Sequence, residues 1–97
     1  MYTQAQLFDK LKQLKPMLYE KYGISRVGVF GSYAIGAQDE DSDVDIIVEL
    51  TRPLGWAYFG LTTVFEEFLK VKVDVTTKEG LKPSIKNQVL KQLVYID

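Results

Sequence analysis

One stretch restricts the fold of this chain more than any other. Residues 29 to 50 read VFGSYAIGAQDEDSDVDIIVEL. An apolar run stops at Phe30, Gly31 and Ser32 follow, and ten residues later Asp43 and Asp45 open a second apolar run, Val44 to Leu50. The second run alternates like a strand. Val44, Ile46 and Val48 face one side, and Asp43, Asp45, Ile47 and Glu49 face the other. Two carboxylates two residues apart leave the same face, with Cα atoms about 6.5 Å apart. Arg26 to Phe30 reads as the preceding strand, which Gly31-Ser32 turns into a short helix, Tyr33 to Gly36. Such a turn presents free backbone N–H groups. Glycine lets an anion approach the backbone, and the serine hydroxyl adds a donor. An anion cradle therefore sits at one end of the stretch and a carboxylate pair able to grip cations at the other.

The remaining chain supplies the core and a third carboxylate. Thr3 to Tyr22 predicts a helix opened by a Thr3/Gln6 capping box, with Leu7, Leu11, Leu14, Leu18 and Tyr22 as its buried stripe and Gly23 as its stop. Pro16 either kinks that helix or starts a second one. Pro53-Leu54-Gly55 is a loop. A helix from Trp56 to Leu69 follows, with Leu61, Val64, Phe65 and Phe68 inward and Trp56 and Tyr58 anchoring it to the loop. Val71 to Thr76 alternates as a strand with Asp74 on its polar face. If that strand neighbours the second, Asp74 joins Asp43 and Asp45. Pro83 starts a last helix with Ile85, Val89, Leu90 and Leu93 inward, and Val94 to Ile96 closes as a tail or a short strand. This order predicts a two-layer α/β (α+β) domain spanning residues 1–97, with a small mixed sheet of three or four strands and helices packed on one face.

Composition narrows the chemistry. The chain has no cysteine and no histidine, which removes disulfides, thiolate or imidazole metal sites and Ser-His triads. Any metal must be held by oxygen, which favours magnesium, manganese or calcium. The net charge of -1 gives no argument for nucleic acid. No signal peptide, long apolar span or lipidation signal is present, so the default expectation is the cytoplasm, with no membrane partner.

Each feature alone has a plainer reading. Gly-Ser is a common turn, and an Asp-x-Asp pair is often a solvated strand edge. The alternating aspartates 39, 41, 43 and 45 resemble the start of an EF-hand loop. That frame fails, because position six is Val44 and position twelve is Leu50, where glycine and glutamate are required. Lys82, Lys86 and Lys91 read as a solvated face.

The combination is more specific. Gly31-Ser32, ten residues, then Asp43-Val44-Asp45 resembles the signature of the DNA polymerase beta-like nucleotidyltransferases. VKVDVTT and LKPSIKNQVLKQLVY extend the likeness to the smallest members, the minimal nucleotidyltransferases of prokaryotes, over nearly the whole chain. The resemblance implies that Asp43 and Asp45 bind the catalytic metals and Asp74 completes the triad. It implies that Gly31 and Ser32 hold the nucleoside triphosphate, and that magnesium is the cofactor, with manganese able to replace it. It also implies transfer of AMP from ATP to a tyrosine of a separate helical HEPN toxin, as the antitoxin of a toxin–antitoxin pair, in a homo- or hetero-oligomer. One departure stands out. The family commonly reads GSxARG, whereas Gly31 to Gly36 reads GSYAIG, with Ile35 in place of arginine. The alternative expectation is therefore a catalytically weak antitoxin that neutralises its partner by occlusion. Transfer to a small molecule or RNA ranks below both, because no acceptor domain and no basic aromatic face is evident.

Overall fold

The computed structural model describes residues 1–97. Helix α1 (Gln4–Tyr22) begins at Thr3, whose hydroxyl accepts from the Gln6 amide while the Gln6 side chain accepts from the Thr3 amide. The helix runs unbroken through Pro16 and ends at Gly23, which takes the left-handed conformation and donates back to Tyr19. The leucine stripe lies fully inside: Leu7, Leu11, Leu14 and Leu18 are buried.

Strand β1 (Ile24–Phe30) follows at once, two residues longer at its start than expected. A 3-10 turn (Gly31–Tyr33) and an acidic turn lead to β2 (Val44–Leu50), which pairs antiparallel with β1. A second 3-10 segment (Gly55–Gly60) precedes α2 (Leu61–Leu69), and β3 (Val73–Thr76) then lies parallel to β2. Helix α3 (Pro83–Gln92) begins on its proline, and β4 (Val94–Tyr95) pairs antiparallel with β1. The sheet order is β3-β2-β1-β4.

Alternation along β2 sorts the layers. Val44, Ile46 and Val48 join the α1 leucines, Leu61, Phe65, Leu69, Val27, Val29 and Val73 in one core. Helices α1 and α2 thus cover one face, but the expectation that all the helices share it fails at the last helix. The opposite face carries the polar residues of β2 and one apolar residue, Ile47. An exposed isoleucine there would leave apolar area in water. The chain covers it with Leu81 and Val89, flanked by Phe30 and Leu93. Helix α3 therefore goes to the opposite face from α1 and α2.

Two stripes differ from expectation. In α3 only Val89 is buried, and Ile85 and Leu90 face solvent, because the small apolar patch of Ile47, Leu81 and Phe30 gives the helix little surface to meet. The predicted helix from Trp56 starts instead at Leu61, because residues 55–60 wind as a 3-10 segment with a different side-chain period. The buried positions become Leu61, Phe65 and Leu69; Phe68 is exposed, and Trp56 is 89% exposed, so it does not anchor the loop. Tyr58 does pack against the core.

Edge strand β4 is tied down by polar contacts. The Tyr95 hydroxyl donates to Glu49 on β2 at 2.5 Å, and the Arg26 guanidinium lies 3.4 Å from the Tyr95 ring centroid. The Tyr95 hydrogen bond holds the Glu49 carboxyl below its ordinary range, with Lys78 and Arg26 adding to it and partial burial opposing. We expect Tyr95→Phe to cost about 1 kcal/mol, a melting temperature lower by roughly 5 °C for a chain of this size. A carboxyl with a depressed folded pKa stabilises above its unfolded value, and that stability is lost as pH falls through the folded pKa. The difference between variant and wild type should therefore shrink below roughly pH 4 in thermal melts.

Candidate active site

The backbone brings the predicted residues to one end of the sheet. Phe30 pairs with Asp45 across the β1–β2 ladder, so Gly31 leaves β1 directly beside Asp45. Gly31 has φ +73°, and a Cβ built there would run into the Asp45 carboxylate. The position demands glycine on both counts. On the other side of Asp45, the parallel pairing of β2 and β3 sets Asp45 directly opposite Asp74. Neighbouring strands lie about 4.8 Å apart, so the two carboxylates share one small patch of the sheet. Asp43 lies just before β2 on the same face, exposed, and borders a cleft of about 440 Å³ that Tyr33, Asp39 and Lys72 also line.

Asp45 is strongly perturbed by its surroundings. Its carboxyl is raised from 3.8 to about 6, first by burial, then by the charge of Asp74, then by that of Asp43. Each carboxylate thus acts on Asp45, and a positive charge among them would relieve the repulsion. The donor set is all oxygen and all acidic, which fits a hard divalent cation. The trio is not drawn into a closed ligand cage. Asp45 is half-buried, whereas Asp43 and Asp74 are exposed and can swing.

The acidic residues before β2 have a separate use. Asp39 accepts from the Asp41 amide at 2.9 Å and from the Ser42 hydroxyl at 3.2 Å, and its own amide donates to Ser42 Oγ at 2.9 Å. These bonds build the turn that aims the chain into β2, so Asp39 serves the backbone. Ser32 and Gly31 sit in the 3-10 turn, whose carbonyls at Gly31 and Ser32 accept from the amides of Ala34 (3.1 Å) and Ala37 (2.9 Å). Tyr33 is buried in the main core and holds the turn from beneath. Ile35 is exposed beyond it.

Gln4 is one residue at this site that sequence reasoning missed. Its side-chain amide reaches across from α1 to the carbonyls of Tyr33 (2.9 Å) and Ala34 (3.0 Å). No local signal marks it, because the capping box at the same helix start points to Thr3 and Gln6.

This sheet, with a Gly-Ser turn beside paired aspartates, is that of a nucleotidyltransferase. Residues 11–96 match the family described as nucleotidyltransferase domain, and the chain belongs to that family. Among its relatives, it is 37% identical over 97 residues to the protein adenylyltransferase MntA of Thermococcus cleftensis, covering 99% of this chain and 98% of that one. It is 35% identical over 100 residues to a Methanocaldococcus jannaschii protein provisionally named a protein adenylyltransferase, covering 99% and 100%. A solved structure provisionally described as a minimal nucleotidyltransferase superposes with TM-score 0.73 at 34% identity, over 96% of this chain and 95% of that one. No helix is long and apolar enough to cross a membrane.

Proposed function

We propose that this chain is a magnesium-dependent protein adenylyltransferase. It transfers AMP from ATP to a tyrosine hydroxyl of a partner HEPN toxin and thereby acts as that toxin's antitoxin in the cytoplasm. Residues 1–97 work in this reading as one minimal nucleotidyltransferase domain. The observation that carries it is the register of Asp45: Gly31 is packed against its carboxylate on one side and Asp74 lies opposite on the other. The adenylyltransferase name of a relative matched along the whole chain supports the nucleotide and the acceptor class.

Gly31 and Ser32 receive the triphosphate, glycine by permitting close approach and serine by a hydrogen bond. Asp43, Asp45 and Asp74 are the residues that would hold magnesium, or manganese in its place. The metal supplies charge neutralisation to the triphosphate and to the departing pyrophosphate. The acceptor oxygen attacks the α-phosphorus of ATP. A new P–O bond forms as the bond between that phosphorus and the α–β bridging oxygen breaks, and pyrophosphate leaves with the electron pair. The acceptor proton passes to a carboxylate at the site, for which Asp74, exposed beside Asp45, is the best placed. Positioning and charge carry the catalysis, as phosphoryl chemistry requires.

A second reading is favoured by Ile35. Without an arginine beside the turn, the chain neutralises its partner by binding and occlusion. The two separate in cells. Under the enzymatic reading, a chain carrying Asp43→Asn, Asp45→Asn and Asp74→Asn loses all protection against the toxin while still folding. Full protection by this variant would establish occlusion in its place.

A further inference from the structure

We infer that Gln4 is a positioning residue for nucleotide binding, acting through the turn Gly31–Ala34. The inference rests on the reading above, in which that turn receives the triphosphate. Gln4 is the first residue of α1, and its Nε2 donates to the carbonyls of Tyr33 at 2.9 Å and Ala34 at 3.0 Å, some thirty residues along the chain. Both partners are acceptors, so the two amide hydrogens of Nε2 must point at them, and the orientation of the side chain is fixed.

The need for these two bonds follows from the turn itself. Carbonyls at the end of a short helix have no donor within it. Here the carbonyls of Gly31 and Ser32 are satisfied by Ala34 and Ala37, whereas those of Tyr33 and Ala34 are satisfied by Gln4. With all four carbonyls engaged, the turn cannot rotate an oxygen toward the place the phosphates take. An oxygen there would repel them.

Gln4 is itself held firmly. The Thr3/Gln6 capping box fixes the start of α1 on one side. On the other, the Tyr2 hydroxyl donates to the Leu69 carbonyl at 2.6 Å, tying the segment to the end of α2. The turn is anchored from below by the buried Tyr33 ring and from the side by this one amide. Orientation that is fixed before the ligand arrives lowers the ordering cost of binding.

Gln4→Ala removes the donors. Gln4→Glu keeps the shape and sets a carboxylate against two carbonyl oxygens. Gln6→Ala is the control, since it weakens the same helix start without touching the turn. We expect both Gln4 variants to weaken ATP about tenfold. The loss should appear in KM during transfer and in Kd by calorimetry with a non-hydrolysable ATP analogue, with kcat changed less than about threefold. Amide exchange at Ala34 and Ala37 should quicken in the same variants. Gln6→Ala, which leaves both Gln4 bonds to the turn in place, should lower the melting temperature and weaken ATP less than about threefold. Gln4 variants that bind like wild type, or a Gln6→Ala variant that loses affinity to the same degree, would overturn this role and leave the adenylyltransferase reading standing. A wild-type chain that binds no ATP would overturn that reading, and the role of Gln4 with it.

Discussion

Asp45→Asn is expected to reduce AMP transfer about 10²- to 10³-fold or more while making the metal-free protein harder to melt. The two effects have one cause. Asp45 is half-buried between Gly31 and Asp74, and its carboxyl is raised from 3.8 to about 6 by burial and by its two neighbouring aspartates. The folded chain therefore bears an ionised group at neutral pH that the unfolded chain carries more easily. Each unit of such a shift is worth about 1.4 kcal/mol. Solvent at the half-exposed carboxyl screens the interaction, and we take about 1 kcal/mol as its destabilising effect. Asparagine keeps the shape and drops the charge, so the melting temperature in EDTA should rise by roughly 5 °C. The sign runs opposite to that of a salt-bridged aspartate. Where the folded pKa is raised, the folded state binds the extra proton between the two values, and stability falls as pH rises through that window. The advantage of Asp45→Asn should thus be complete above pH 6, decline between 6 and 3.8, and vanish below. An EDTA-treated variant no more stable than wild type at pH 7 would contradict the crowding of charge at Asp45.

Gly31→Ala should both destabilise the protein and stop transfer. Left-handed backbone costs a residue with a Cβ about 1–2 kcal/mol. At φ +73° the added Cβ would also meet the half-buried Asp45 carboxylate, which must turn aside. We expect a total of about 2–3 kcal/mol, or a melting temperature lower by roughly 10 °C or more. The steric part can be isolated. In an Asp45→Ala background the obstructing carboxylate is gone, and Gly31→Ala should cost about 1 kcal/mol less than in wild type. Equal cost in both backgrounds would mean that backbone strain alone governs the position.

The parts of the site that were legible in the sequence are the local ones. Period-two alternation places Asp43 and Asp45 on one face of β2 without any knowledge of the sheet. The capping box at Thr3, the leucine stripe and the stop at Gly23 are also local signals, and each appears in the structure. The position of Asp74 was only conditional, because alternation shows its face but not its neighbour. The parallel register of β2 and β3 supplies that neighbour. Helix α3 was harder still. Its apolar residues suggest a broad inward face, but the surface that receives it is a small patch around Ile47, Leu81 and Phe30, so Ile85 and Leu90 stay in water. The segment 55–60 misled for a related reason, since a 3-10 winding shifts which residues point inward. Gln4 was invisible because its partners lie in a different element.

The central claim is that this site moves AMP onto another protein. The most direct measurement is the intact mass of the proposed helical partner toxin, after incubation with this chain, ATP and magnesium. The account predicts a gain of one or more AMP units on the toxin, absent when Asp43→Asn replaces the wild type. A stable complex with no gain in mass would contradict it, and would make occlusion the function and Ile35 the first residue to change to arginine.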